Sequence, residues 1–379
     1  MPGHARTGGR DVIFAWEQCK LGDVAKINSG KDYKGLQPGK IPVYGTGGYM
    51  LSVNDKLSDI DAIGIGRKGT IDKPYYLNAP FWTVDTLFYV TPRGTADISF
   101  MFPLFKNINW KRYDESTGVP SLSKNTIKKI RVSFPQNNEQ VKIGDLFQKI
   151  TQIITLHEEK KRQLERLKSA LLQKMFADKS GYPVVRFKGF CDEWQGTKLR
   201  KISKIVRGAS PRPISDPKWF DNDSSVGWLR ISDVTSQDGR IHHLEQHISK
   251  QGQAKTRVIS EPHLLLSIAA TVGKPLINYV KTGVHDGFLI FIEPQFDLEF
   301  MFQWLEMFRP QWSKYGQPGS QINLNSDLVK NQIIYLPSRE EQNQIGIFLN
   351  QIDSLINLHQ QKINNINSVK KSLLQKMFI

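Results

Sequence analysis

From residue 143 to residue 174 the positions Ile143, Leu146, Ile150, Ile153, His157, Lys160, Leu164, Leu167, Leu171 and Lys174 step by three and four alternately, with mostly polar residues between them. That spacing describes a helix hiding one seam over about five heptads. A second run obeys the same rule: Ile345, Phe348, Ile352, Leu355, His359, Lys362, Ile366, Val369, Leu373 and Lys376. Each run begins shortly after a proline, Pro135 or Pro337, and carries acidic residues in its first turn, as helix N-termini favour. At ~1.5 Å per residue each helix is a rod of about 60 Å. Neither seam can be left in water. The simplest cover for one is the other, running antiparallel if the halves are related by a twofold. His157 and His359 fall at equivalent seam positions and read as polar register pins rather than a paired metal site or switch.

The two helices are copies. At an offset of 202 residues, Phe134–Phe176 and Leu336–Phe378 share 17 identities in 43 positions without a gap. The repeat extends to the starts of the halves, where "WEQCKLGDVAKINSG" from Trp16 lies over "WQGTKLRKISKIVRG" from Trp194 at an offset of 178. Each half is therefore a globular segment followed by a long helix. The second globular segment carries about 24 extra residues.

Within these segments the pattern changes. Short β-branched and aromatic runs, Leu87–Val90, Lys129–Phe134, Leu264–Ile268, Phe288–Ile292 and Gln332–Leu336, are separated by Gly, Pro and Asn clusters and predict strands. A helix is expected over Glu299–Phe308. The fold class is mixed α/β: two sheet-rich domains separated by two long antiparallel coiled-coil helices in an internal pseudo-twofold repeat. The expected boundaries are 1–136 for the first domain, 137–180 for the first helix, 181–338 for the second domain and 339–379 for the second helix. The first ten residues read as a flexible leader.

Composition adds a partner class. Lys plus Arg number 52 against 36 Asp plus Glu, a net charge of +16. Such a surplus repels itself unless a polyanion is near, and nucleic acid is the natural one. No stretch approaches the roughly 18 apolar residues of a membrane span. Two distant cysteines, Cys19 and Cys191, argue against a disulfide framework or zinc site and fit a reducing, cytoplasmic setting.

Catalytic signatures are mostly missing. There is no P-loop, no G-x-S-x-G and no H-E-x-x-H. His243 and His247 have a metal-like spacing without a third ligand nearby. One pattern competes: "GIGRKG" at 64–69 matches the G-x-G-x-x-G of a dinucleotide loop. Such a loop opens a helix, but Pro74 and Pro80 follow among strand formers. At an offset of 201 the sister copy keeps the Thr, the Lys-Pro and the downstream acid, Asp85 over Asp286, and loses the glycines. A cofactor loop shared by both halves is excluded.

What remains is a set of basic and polar loop residues suited to phosphates and base edges. In the first half these are Arg67 and Lys68 with Thr46, Gly47, Tyr49, Thr117 and Gly118; in the second, Arg207, Arg212, Lys218, Trp219, Trp228, Arg230, Lys274, Lys314, Tyr315, Gln317 and Ser320. Trp219 and Trp228 read equally as contact or core residues.

With "PVVRFKGFCDEW" from Pro183, "KLRKISKIVRGASPRP" from Lys198, "GWLRISDV" from Gly227, "GVHDGFLIF" from Gly283 and the two helices ending "LLQKMF", residues 11–379 resemble the specificity (S) subunit of type I restriction–modification systems. The resemblance implies two target-recognition domains that each read half of a bipartite, asymmetric site on double-stranded DNA. The helices would set the spacing and dock two modification subunits. This chain would hold no catalytic residue, metal or cofactor. Its partners would carry S-adenosylmethionine for adenine N6 methylation, and restriction subunits would add ATP and Mg, all in a bacterial or archaeal cytoplasm. The competing readings are a stand-alone DNA methyltransferase or nuclease, against which the missing motifs count, and a coiled-coil scaffold, against which the charge counts.

Overall fold

The computed structural model describes residues 16–230, 232–260, 262–268, 271–312 and 324–378. The chain divides into two units, residues 1–158 with 361–379 and residues 159–360. The leader reading at 1–10 lies outside the described residues. The long helices, Asn137–Lys174 and Arg339–Met377, each cross the division at repeat-equivalent points.

In the first unit four antiparallel strands form the main sheet, in the order Ala25–Ser29, Leu87–Pro92, Ala62–Gly66 and Tyr75–Leu77. A three-stranded sheet adds Gly48–Val53, Pro38–Gly45 and Trp82–Thr83. The second unit repeats the plan: its main sheet runs Lys204–Arg207, Phe288–Ile292, His263–Ser267, Pro275–Asn278 and Arg240–Ile241. Its smaller sheet has Thr282–Val284 between Gly227–Leu229 and Arg257–Ile259. A two-stranded ribbon closes each domain beside its long helix, Glu17–Lys20 with Arg131–Phe134 and Gln195–Lys198 with Ile333–Leu336. The strand expectations fall on observed strands, and the expected short helix is Leu298–Trp312.

Each domain sits on the first turns of its helix through one repeated device. Gln140 accepts from the Asp97 amide and donates to the Pro135 carbonyl; Gln342 does the same with Asp297 and Pro337. One turn on, a Cβ added to Gly144 would stand 1.8 Å from Ser99 Oγ, and one on Gly346 would stand 2.8 Å from the Phe300 amide nitrogen. Only glycine admits so close an approach. An aromatic cluster then closes each core. Trp16, Phe100 and Phe378 meet at ring distances of 5.4–5.9 Å in the first unit; in the second, Phe300 lies 5.8 Å from Trp194 and 5.2 Å from Phe176.

The helices run antiparallel within each unit. Ile143 and Phe147 share a core with Leu373, Leu374, Met377 and Phe378. Met175 and Phe176 share one with Ile345, Leu349 and Ile352. The seam needs a correction. One column is as expected: Ile143, Ile150, His157, Leu164 and Leu171, and Ile345, Ile352, His359, Ile366 and Leu373, are buried or half-buried. The other column lies one residue later, on Phe147, Ile154, Lys161, Lys168 and Met175 and on Leu349, Ile356, Ile363, Lys370 and Met377. Leu146, Ile153, Leu167, Leu355 and Val369 face outward, from 40% exposed at Leu146 to 55% at Val369, and Phe348 packs half-buried on Phe187. Apolar residues occupy both candidate columns, so the spacing alone does not choose. The domain cores choose, by burying Phe147 and Met175.

One seam contact appears twice with different chemistry. Lys168 pairs with Asp353, which also accepts from Arg240 (3.2 Å) and Gln303 (2.8 Å). The repeat-equivalent Lys370 meets Thr151 Oγ1 at 2.8 Å instead. Among the described residues no carboxylate pairs with it, and burial holds Lys370 below the ordinary lysine range; burial and then the Lys370 charge do the same to Lys106. Thr151→Asp should therefore stabilise the first unit by roughly 1 kcal/mol. Thermal melts should show a rise of about 2–4 °C that disappears below about pH 4 as the new carboxyl protonates. An unchanged melt at neutral pH would refute the account.

Candidate nucleic-acid interface

In the first unit the "GIGRKG" segment ends a strand rather than opening a helix. The glycines answer to the turn: a Cβ on Gly66 would stand 2.2 Å from the Thr70 carbonyl oxygen, and Gly69 has φ +88°. The turn is pinned on both sides. The Arg67 amide donates to Thr86 O (2.8 Å), the Leu122 amide to Arg67 O (2.9 Å) and the Gly69 amide to Pro120 O (2.8 Å). The side chains of Arg67 and Lys68 are left exposed at the edge of a cleft of about 370 Å³, whose other walls include Ser29, Ser121, Ser123 and Lys124. Thr46 Oγ1 lies 4.0 Å from the Cβ position of Gly69, which brings the Thr46–Gly47 hairpin tip against this turn. Tyr49 stands out from the same hairpin, 62% exposed. Thr117 and Gly118 are exposed in the loop that supplies Ser121, shaped by Asp114, which accepts from the amides of Ser116 and Ser121.

In the second unit the basic residues gather around Asp286. Arg207 Nε donates to its carbonyl oxygen (2.6 Å), Ser210 Oγ to Oδ1 (2.9 Å) and Arg212 Nη2 to Oδ2 (3.0 Å). Arg257 Nε donates to Arg207 O at 2.7 Å, making a third guanidinium. Burial alone would raise the Asp286 carboxyl, but the Ser210 hydrogen bond and the charges of His285, Arg212 and Arg207 hold it below the usual range. The cluster thus keeps its anion ionised and stays net positive.

Other expected residues stand apart. Arg230 is spent internally: its guanidinium binds both Asp233 oxygens (3.2 and 2.9 Å) and reaches Glu245 at 3.1 Å. Trp219 and Trp228 are buried, so the open choice falls to packing. The Trp219 indole donates to Pro213 O at 2.9 Å, and Lys218 lies 4.5 Å over its ring while pairing with Asp216. Lys274 is half-buried beside the turn that ends in the Pro275–Asn278 strand. Lys314, Tyr315, Gln317 and Ser320 lie outside the described residues. Sequence reasoning missed Lys124, Ser210 and Arg257. The basic character of "SLSKN" and "KTRVIS" was the only signal for Lys124 and Arg257, and neither it nor the "GASPRP" around Ser210 says which loops meet. Among the described residues, no group of three or more His, Cys, Asp or Glu is placed to hold a metal ion.

Two copies of one sheet module, each seated on antiparallel helices and each presenting its own basic cluster, define a tandem-repeat protein. The chain belongs to the type I restriction modification DNA specificity domain family, whose model matches residues 15–166 and again 191–368. It is similar to the type I restriction enzyme MjaVIII specificity subunit of Methanocaldococcus jannaschii, with 22% identity over 282 residues, 70% of this chain and 65% of that one. The match thus spans just under two-thirds of that relative's length. The fold is similar to that of the type I restriction–modification S subunit from M. genitalium (TM-score 0.69, 12% identity, 97% of each chain covered). It is also similar to the HsdS subunit from Thermoanaerobacter tengcongensis (TM-score 0.50, 17% identity, 98% of each chain covered). No helix among the described residues is long and apolar enough to cross a membrane.

Proposed function

We propose that this chain is the DNA sequence-recognition subunit of a type I restriction–modification complex, each unit reading one half of a bipartite, asymmetric site. The observation that carries this is a frame duplicated down to its glycine contacts under basic clusters built from different sequence positions in the two copies. A shared frame serves assembly; divergent surfaces serve two different half-sites. Apolar side chains stand exposed on the helices of each unit, Leu146, Ile153 and Val369 in the first and Leu167 and Leu355 in the second, and a modification subunit on each would cover them. Those subunits would bind S-adenosylmethionine and methylate adenine N6. Restriction subunits would bring ATP and Mg²⁺, and the whole would work in the cytoplasm of a bacterium or archaeon.

Methylation-aware sequencing of a host that expresses the chain with its modification subunit tests this directly. The expected outcome is a bipartite motif with a methylated adenine in each half; a continuous motif, or none, refutes the reading. Affinity should also depend steeply on salt. With 6–10 phosphate contacts, binding should fall by about 10³–10⁵ between 50 and 200 mM salt, measurable by fluorescence anisotropy. A flat response would mean that the +16 surplus serves something other than DNA.

A further inference from the structure

One guanidinium contact is shared by the two units although the sequence does not align it. Arg67 Nη1 donates to the carbonyl oxygen of Asp85 at 3.5 Å, and Arg207 Nε donates to that of Asp286 at 2.6 Å. Asp85 and Asp286 are repeat equivalents, but the arginines are not. Arg67 follows the strand Ala62–Gly66, and its counterpart in the second copy is Ile268. Arg207 ends the strand Lys204–Arg207, and its counterpart in the first copy is Ser29, which lines the Arg67 cleft. The same place in the fold is thus filled by an arginine reached from two different strands.

A residue that reads a base should differ between half-sites, because the half-sites differ. A residue that grips the sugar–phosphate backbone should be the same in both, because the backbone is the same. A guanidinium regenerated in one place from unrelated sequence positions fits the second case. Its surroundings agree. Lys68 and Lys124 line the same cleft as Arg67, together with Ser121 and Ser123; Arg212 and Arg257 flank Arg207. Lysines add compact point charges suited to anionic oxygens. Among the described residues, neither Lys68 nor Lys124 forms an ion pair.

Resting on the DNA-recognition reading above, we propose that Arg67 and Arg207 each clamp one backbone phosphodiester of the duplex, positioning each half-site without reading it. Reading then falls to neighbouring surface such as the Thr46–Tyr49 hairpin.

The test uses the full chain assembled with its modification subunit, a fluorescent duplex titrated across salt concentrations, and a pool of duplexes randomised at the half-sites. Arg67→Ala and Arg207→Ala should each weaken binding about tenfold at roughly 0.1 M salt. Each should reduce the slope of log affinity against log salt by about 1 and leave the base preference of both half-sites unchanged. Arg67→Lys and Arg207→Lys should recover most of the slope. Both residues are exposed, so unchanged melting temperatures should accompany these losses. A shifted base preference at the half-site served by the mutated unit would overturn the proposal, as would an unchanged slope. Competition by inorganic phosphate at matched ionic strength separates the sources: loss of wild-type binding at millimolar phosphate would mark a free-anion site and also overturn it. Failure of the wild-type complex to select any bipartite sequence would instead remove the DNA-recognition reading, while the slope change stays measurable on random duplex.

Discussion

Replacing Arg186 by methionine should lower the stability of the second unit by about 3 kcal/mol, because it strands a buried carboxylate. Arg186 binds Glu341 through two parallel contacts, Nε to Oε1 at 2.7 Å and Nη2 to Oε2 at 2.8 Å, and Glu341 is 1% exposed. Glu341 is the repeat equivalent of Glu139, which in the first unit accepts from the Trp16 indole at 3.0 Å. In the second unit Arg186 has taken that carboxylate, and the buried indole nitrogen of the equivalent Trp194 is left without a hydrogen-bond partner among the described residues. The longer lead "PVVRFKGF" before the second domain supplies the arginine. Thermal unfolding should show a loss of roughly 6–12 °C for Arg186→Met. Removing both charges as Arg186→Met with Glu341→Leu should recover most of it, since a well-packed apolar pair often matches a buried ion pair. A single-variant cost below about 1 kcal/mol would mean that the pair is hydrated and does not pin the segment to the helix.

The contrast between Glu139 and Glu341 shows how far the sequence could be read. The helices were legible because a 3–4 alternation over five heptads has few other meanings, and the duplication because 17 of 43 positions agree. Strands such as Phe288–Ile292 were legible as apolar runs between breakers. The second seam column was not, because Leu146 and Phe147, or Ile153 and Ile154, are equally apolar, and only the domain cores decide between them. The docking of Gln140 and Gly144 was invisible for a related reason: its partners, Asp97 and Ser99, lie about 43 residues away. In the candidate interface, Arg67 and Arg207 were each visible as basic loop residues. Their shared place was not, since alignment sets Arg67 against Ile268. The internal partners of Trp219 and Arg230, namely Pro213, Asp233 and Glu245, were not legible either, because they are set by the fold.

Inserting one heptad into a single long helix, between Glu158 and Glu159, should abolish assembly or break one unit, whereas a matching insertion between Gln360 and Gln361 should restore both. In the first unit Thr151 meets Lys370 and Phe147 lies 6.1 Å from Phe378. In the second, Lys168 meets Asp353. Each helix contributes one half to each unit, so both pairings must hold at once. Seven residues lengthen one helix by ~10.5 Å and keep its seam phase. With the other helix unchanged, one pairing must slip by two turns or lose its register. The first unit would then lose Phe378 from its aromatic cluster, or the second would lose the Lys168–Asp353–Arg240 contacts. Lengthening both helices at equivalent points leaves every one of these contacts in place. If the helices set the spacing of the half-sites, the doubly extended chain should keep both half-site sequences and recognise a longer gap. The increase should be at most about 3 base pairs, from a rise of ~3.4 Å per pair. Methylation-aware sequencing reads the gap, and thermal melts read the single insertion. Full activity with an unchanged gap in either extended chain would show that the helix pair is not the ruler.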